Sequence, residues 1–160
     1  MLLSLELFVM LVMANGSPVV VARLLHQRGN WPVDGGRRWR DGRPIFGASK
    51  TWRGLIAGTA CCSLFAGLLG VGWLFGALFG LLALVGDLLS SFTKRRVGMP
   101  ASARAAWLDQ LPEAVLPMTL AWWWLNLPAW EAGAVSVLFA LSNMLVSPLL
   151  YRLGIRKQPH

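Results

Sequence analysis

Five apolar segments, at about residues 2–25, 54–70, 72–92, 111–127 and 132–153, take up most of this 160-residue chain. Each is close to the roughly 20 residues a helix needs to cross the hydrocarbon of a bilayer. A soluble core of this size has no room for so much apolar surface. Hydrophobic residues make up 56% of the chain and charged residues only 14%, against about a quarter charged in ordinary soluble domains. Lipid cannot hydrogen-bond a bare backbone, so each segment must satisfy its own N–H and C=O groups, as a helix does. The expectation is an all-α membrane protein of about five transmembrane helices. It forms a single membrane domain over 1–160, with no length left for a soluble one. The first segment lacks a basic n-region and a small-residue cleavage site, so it is expected to be a retained span.

The net charge of +8 would suggest nucleic acid in a soluble protein. Here the positive-inside rule accounts for it, and no nucleic-acid partner is expected. All 15 Lys and Arg residues fall in three clusters. Arg23, Arg28, Arg37, Arg38, Arg40, Arg43, Lys50 and Arg53 belong to the first, and Lys94, Arg95, Arg96 and Arg104 to the second. Arg152, Arg156 and Lys157 form the third, at the C-terminus. Five spans with the N-terminus outside place all three clusters, the loops 26–53 and 94–110 and the C-terminus in the cytoplasm. Four or six spans would leave a cluster outside. The membrane is then the cytoplasmic (inner) membrane, with any polar site facing the cytoplasm.

Several features need only packing. Cys61 and Cys62 are neighbours on one apolar run; they point about 100° apart and read as small packing residues, with no bridge or metal. Trp122, Trp123, Trp124 and Trp130 suit the headgroup level. Gly72, Gly76 and Gly80 recur at every fourth position, which predicts a groove where a helix approaches closely, either within the chain or from a second copy in a homodimer.

Other residues resist that account. Asp87 lies inside the third segment, where an unpaired carboxylate costs about 3 kcal/mol or more and usually marks a polar site. It stands two turns, about 10 Å, from Lys94, and a structural pair with Lys94 or Arg95 is the competing reading. Asp109 directly precedes the fourth segment and is a candidate N-cap. The two carboxylates bracket Lys94-Arg95-Arg96. Hard Mg²⁺ takes carboxylate oxygens and substrate phosphates, and Lys and Arg neutralise the remaining phosphate charge. Such a bracket therefore suits a metal–phosphate site. The first loop carries Asp34-Gly35-Gly36, Asp41-Gly42-Arg43 and Gly47-Ala48-Ser49-Lys50-Thr51-Trp52-Arg53-Gly54. Glycines let backbone N–H groups approach an anion, although no Walker A pattern is present. Asn15 and Pro18 interrupt the first segment, either as a kink or as a polar opening toward a lipid-side substrate.

Together these residues resemble the CDP-archaeol synthase family, a small branch of the membrane cytidylyltransferases that includes CDP-diacylglycerol synthases. The resemblance rests on Asn15-x-x-Pro18, Asp41-Gly-Arg43, the run Gly47 to Gly54, Gly86-Asp87, Ser91-Phe92-x-Lys94-Arg95-Arg96-x-Gly98 and Leu108-Asp109-Gln110. It spans the chain. It implies Mg²⁺-dependent transfer of the cytidylyl group of CTP to a lipid phosphate, with release of pyrophosphate. It also implies Asp87, Asp109 and Lys94 as catalytic residues, with Asp87 and Asp109 holding the metal. Asn15, Asp41, Arg43, Lys50, Thr51, Arg53, Arg95, Arg96 and Gln110 would bind substrate. Two stretches depart from the family pattern. Residues 99–104 are short of Gly and Lys, and Leu111-Pro112-Glu113 stands where an acidic-aromatic pair is usual.

The apolar faces would accept ether- or ester-linked tails alike. The Asp-rich run of CDP-alcohol phosphotransferases is missing. The Gly-Gly-Lys-Gly loop of glycerol-phosphate acyltransferases is missing too, since Gly35-Gly36 is followed by Arg37. A small transporter and a nucleotide- or lipid-binding assembly factor without turnover are the alternatives, although no inverted repeat supports transport. The C-terminal cluster is assigned to topology alone. Lys157→Ala should therefore leave turnover near the wild-type rate in a pyrophosphate-release assay, and a large loss would bring the tail into the site.

Overall fold

The protein, described from a computed structural model, is all-α, with no strand among the described residues, 2–26, 28–100 and 105–152. Arg104, Leu153, Arg156 and Lys157 lie outside them. The five helices are α1 (Leu2–Leu25), α2 (Trp52–Leu68), α3 (Trp73–Arg96), α4 (Ala106–Trp124) and α5 (Ala129–Arg152). By length and composition α1 and α3 are apolar enough to cross a membrane; α2 and Ala129–Leu145 of α5 are shorter apolar helices. Helix α3 is central, packed against α1, α2 and α4, while α5 closes on α1 and α4. The core runs from Leu7, Met10 and Leu11 of α1 through Phe75 and Phe79 of α3 to Met118 of α4 and Phe139 of α5.

Two helix boundaries differ from the expected segments in a way that matters for function. Helix α3 continues to Arg96, so Lys94, Arg95 and Arg96 form its last turn and are not loop residues. Cations there oppose the negative end of the helix dipole. Helix α4 begins at Ala106, several residues early, which places Asp109 in its first turn. Asp109 is thus not the N-cap. That position belongs to Ala105, whose N–H donates to Asp109 Oδ2 at 3.1 Å.

Small residues decide how closely α3 is gripped. A Cβ on Gly76 or Gly80 would run into the α2 backbone at Cys62 and Gly58. The expected groove is therefore filled within the chain, and that face has no room for a second copy. Gly72 does not join the groove: at φ 113 it forms the α2–α3 turn and caps α3. On the opposite side, a Cβ on Gly86 would overlap the Pro112 carbonyl and the Glu113 nitrogen of α4. Helix α1 meets α2 at Gly58, which packs on the carbonyl of Ala14. That is the carbonyl whose helical partner is lost at Pro18, four residues on.

The Gly86 crossing yields a prediction. Gly86→Ala should destabilise the protein by about 1–3 kcal/mol, the usual cost of overpacking a close backbone contact. Gly133→Ala, with nothing near its added carbon, should be neutral or mildly stabilising. Thermal unfolding in detergent compares them, and equal effects would mean that the α3–α4 crossing is looser than described.

Candidate active site

The first loop is built around Asp34. Its Oδ1 accepts the N–H of Gly36 at 2.9 Å, and its Oδ2 accepts those of Phe46 at 2.9 Å and Gly47 at 3.0 Å. Burial works against the charge on Asp34, but the N–H donors of Gly47, Phe46 and Gly36 together outweigh it and hold the carboxyl below its usual range. These donors include glycine N–H groups expected to meet an anion. They are spent on Asp34, so the loop is a self-tied scaffold and its anion-binding capacity rests on side chains. Isolated bridges, Pro32 with Thr51 and Arg38 with Pro44, complete it.

The loop docks on the end of α3. Phe92 meets Trp39 and Phe46 edge-on or tilted, and the Arg96 guanidinium lies 5.0 Å from the Phe92 ring centre. Arg96 Nη1 pairs with Asp41 at 2.5 Å, and its Nη2 donates to the Pro44 carbonyl at 2.5 Å. Arg43 Nη1 donates to the carbonyls of Arg95 and Arg96 at 3.2 and 2.9 Å, and so caps α3. The Asp41 carboxyl is exposed. Desolvation works against its charge, but the Arg43 N–H and the Arg96 charge together outweigh it and keep it below the usual range.

This docking delivers Lys50 to Asp87. The Lys50 ammonium lies 2.6 Å from Oδ1 and 2.5 Å from Oδ2 of Asp87. The alternative pair of Asp87 with Lys94 does not form. Two helical turns separate them, and Lys94 instead reaches Asp109 Oδ1 at 2.6 Å. Arg95, only 6% exposed, lies between the loop and α4. Its Nη1 bonds the Met99 carbonyl, its Nε has no hydrogen-bond partner, and it feels the charge of Asp109. Gln110 Oε1 is likewise buried without a partner. Lys50, Asp87, Lys94, Arg95, Asp109 and Gln110 thus gather where the loop, α3 and α4 meet.

Three further expected substrate residues make contacts within the frame. Thr51 caps α2, its Oγ1 accepting the Gly54 N–H at 3.4 Å. Arg53 Nη1 donates to the carbonyls of His26 and Arg28 beyond the end of α1, at 2.8 and 2.7 Å. Asn15 bonds the Leu11 carbonyl of its own helix at 3.2 Å.

The profile of the CarS-like family, described as CDP-archaeol synthase, matches residues 1–78 and 65–160. The chain belongs to the CDP-archaeol synthase family. A family member from Thermococcus onnurineus is 38% identical over 160 residues, covering 91% of this chain and 89% of that protein. One from Sulfolobus acidocaldarius is 33% identical, covering 99% and 98%. A solved structure described as an intramembrane enzyme for archaeal membrane lipids biosynthesis superposes with TM-score 0.69 at 32% identity, covering 94% of this chain and 92% of that one. Like that enzyme, this is a membrane protein.

Sequence reasoning gave Glu113 no role. It stands on α4 beside the Gly86 crossing, and the charges of Asp87, Lys50 and Asp109 act on it. One signal was available: Asp109 and Glu113 stand four apart on α4, hence on one face. Among the described residues no three acidic, His or Cys groups are close enough to hold a metal unaided. The donors nonetheless fit Mg²⁺, which commonly uses one or two carboxylates and completes its shell with substrate phosphates and water.

Asp34 is the test of the scaffold. Asp34→Ala should free three N–H groups at once, and amide exchange over residues 34–47 should rise by at least about tenfold. Because the folded carboxyl titrates below its unfolded value, its contribution is complete above about pH 4 and fades as pH falls through that lowered value. The wild-type loop should accordingly loosen only in stronger acid. Unchanged exchange in Asp34→Ala would contradict the hub assignment.

Proposed function

We propose that this protein transfers the cytidylyl group of CTP to the phosphate of a membrane lipid and releases pyrophosphate. Membership of the CDP-archaeol synthase family supports the reaction class. The observation that carries it to particular residues is the pair of lysine–aspartate contacts, Lys50–Asp87 and Lys94–Asp109, two turns apart along α3, with buried Arg95 within the influence of Asp109.

In this reaction an oxygen of the lipid phosphate bonds to the α-phosphorus of CTP. The bond from that phosphorus to the α–β bridging oxygen breaks, and the electron pair leaves with pyrophosphate. The nucleophile is already an anion, so no general base is required and catalysis is positioning plus charge neutralisation. Asp87 and Asp109 would hold Mg²⁺, which offsets the triphosphate charge. Lys50, Lys94 and Arg95 supply further positive charge to the phosphates, and Lys94 is placed to stabilise charge as the bond breaks. Arg96 and Asp41, with Arg43, order the loop over the site. Gln110 Oε1, buried and free, suits a donor on the substrate. Arg53, Thr51 and Asn15 hold the ends and bend of the helices that frame it.

The topology proposed with this function has one membrane domain with five spans and the N-terminus outside. The site then faces the cytoplasm from the cytoplasmic membrane, where CTP is available. The positive clusters and their position at the ends of α1 and α3 support that orientation.

Pyrophosphate release by detergent-purified protein tests the proposal, with Mg²⁺, each of the four nucleoside triphosphates, and either phosphatidic acid or its archaeal ether analogue. Release is expected with CTP and at least one lipid. Asp87→Asn, which keeps the shape and loses the charge, should cut it roughly a hundredfold or more with helix content unchanged. No release with any pair would refute transfer and favour binding or transport; full activity in Asp87→Asn would remove Asp87 from the metal.

A further inference from the structure

The end of α1 is built in a way that topology does not require. A cleft of about 470 Å³ opens there, lined by Leu24, Leu25, His26 and Arg28. No residue of the Lys50–Asp87 or Lys94–Asp109 pair lines it. Leu24 and Leu25 end a helix long and apolar enough to cross a membrane, yet they are 73% and 45% exposed, open to acyl chains. His26 turns the chain at φ 48. Arg28 follows, its N–H on the Leu25 carbonyl at 2.9 Å. The Arg28 guanidinium is exposed and has no partner among the described residues. Trp31, 74% exposed, marks the depth, since Trp favours the headgroup level. Leucines at the end of the span and an arginine just past it match the two halves of an anionic lipid, tail and headgroup.

A helix C-terminus is by itself a poor place for an anion, because its carbonyls carry negative partial charge. Arg53, from the first turn of α2, removes that obstacle. Its Nη1 takes the carbonyls of His26 and Arg28 at 2.8 and 2.7 Å, and its Nε is buried with no partner. The corner thus brings together two guanidinium groups, and no carboxylate lines the cleft. Backbone bonds stiffen it: the Trp52 N–H donates to the Trp31 carbonyl at 3.1 Å, and the Val33 N–H to the Lys50 carbonyl at 2.8 Å. The positive-inside rule counts charges and asks for none of this geometry. Arg40, exposed on the same loop, satisfies that rule equally well without lining the cleft.

We propose that this cleft holds the phosphodiester headgroup of an anionic phospholipid of the surrounding bilayer, with Arg28 on the phosphate and Leu24 and Leu25 against the start of its tails. This lipid is a bound neighbour and not the substrate. A diester phosphate is already substituted on both sides and lacks the terminal phosphate that a cytidylyl group joins. The site lies apart from the paired lysines and aspartates, and its occupancy does not depend on which reaction they perform.

Native mass spectrometry of the full chain in a neutral detergent tests this, with phosphatidylglycerol, phosphatidylcholine and phosphatidic acid titrated separately. Wild-type protein should bind its first phosphatidylglycerol at least about fivefold more tightly than phosphatidylcholine, the usual worth of one arginine near an anionic surface. Arg28→Gln should erase that preference, and Arg28→Lys should keep it. Arg40→Gln, a screened charge away from the cleft, should change it by less than about twofold. Equal wild-type affinity for the two lipids, or an equal loss in Arg40→Gln, overturns the site. Tight phosphatidic acid binding without phosphatidylglycerol binding also overturns it, and makes the cleft a path for substrate. If Arg28→Gln loses helix content, photo-crosslinking on wild-type protein decides. A phosphatidylglycerol carrying a diazirine near its headgroup should label the segment 24–28, and labelling confined to other segments refutes the cleft. Each readout is binding, so it stands whether or not pyrophosphate is released in the transfer assay.

Discussion

A carboxylate set among apolar helices must be neutralised, and Asp87 is neutralised from outside its own helix. Lys50 belongs to the loop between α1 and α2, so satisfying Asp87 requires that loop to fold down onto α3. Removing one partner of a poorly solvated pair typically costs about 3–5 kcal/mol. With both side chains here about a quarter exposed or less, solvent takes back part of that. The remainder still ties the loop to α3.

The rest of the polar structure supports this delivery. Asp34 spends its carboxylate on three backbone N–H groups, making a short glycine-containing loop stiff enough to aim Lys50. Arg43 and Arg53 do related work at helix ends: one guanidinium takes two carbonyls of the last turn of α3, the other two carbonyls just beyond α1. Arginine suits this task because its planar fork presents several donors and keeps its charge. The positive clusters that mark topology in the sequence thus also stitch helix ends to loops.

Apolar packing contributes mainly by what it leaves out. Gly76 and Gly80 bring α2 against α3, and Gly86 brings α4 against α3. In lipid there is little hydrophobic drive between helices, so close van der Waals contact at small residues carries the association. The Gly86 crossing has a second effect, since Asp87 and Glu113 flank it and their spacing follows from it. The same residue that lets the helices approach thereby shapes the charge of the site. That coupling bears on the departure at Pro112-Glu113: this chain has an acidic side chain there on a face already shared with Asp109.

Much was legible in sequence because it depends on short-range periodicity and on the solvent. Five apolar runs of helix length, the sorting of every Lys and Arg into three clusters, and the anomaly of Asp87 need no tertiary information. The motif residues then sufficed to name the family. Pairing was not legible. Asp87 and Lys94 share a helix face but lie two turns apart, so each took a partner from another element, Lys50 and Asp109. Of the glycine N–H groups available to an anion by composition, those of Gly36 and Gly47 were claimed by Asp34 and those of Gly35 and Gly42 by loop carbonyls. Glu113 looked like a stray departure until the backbone contact at Gly86 placed it against α3. Sequence alone determined which segments leave water and where charge collects, because hydrophobic transfer and helix period act locally. Only the tertiary structure decided which charge meets which, because a contact of a few ångströms depends on how helices cross.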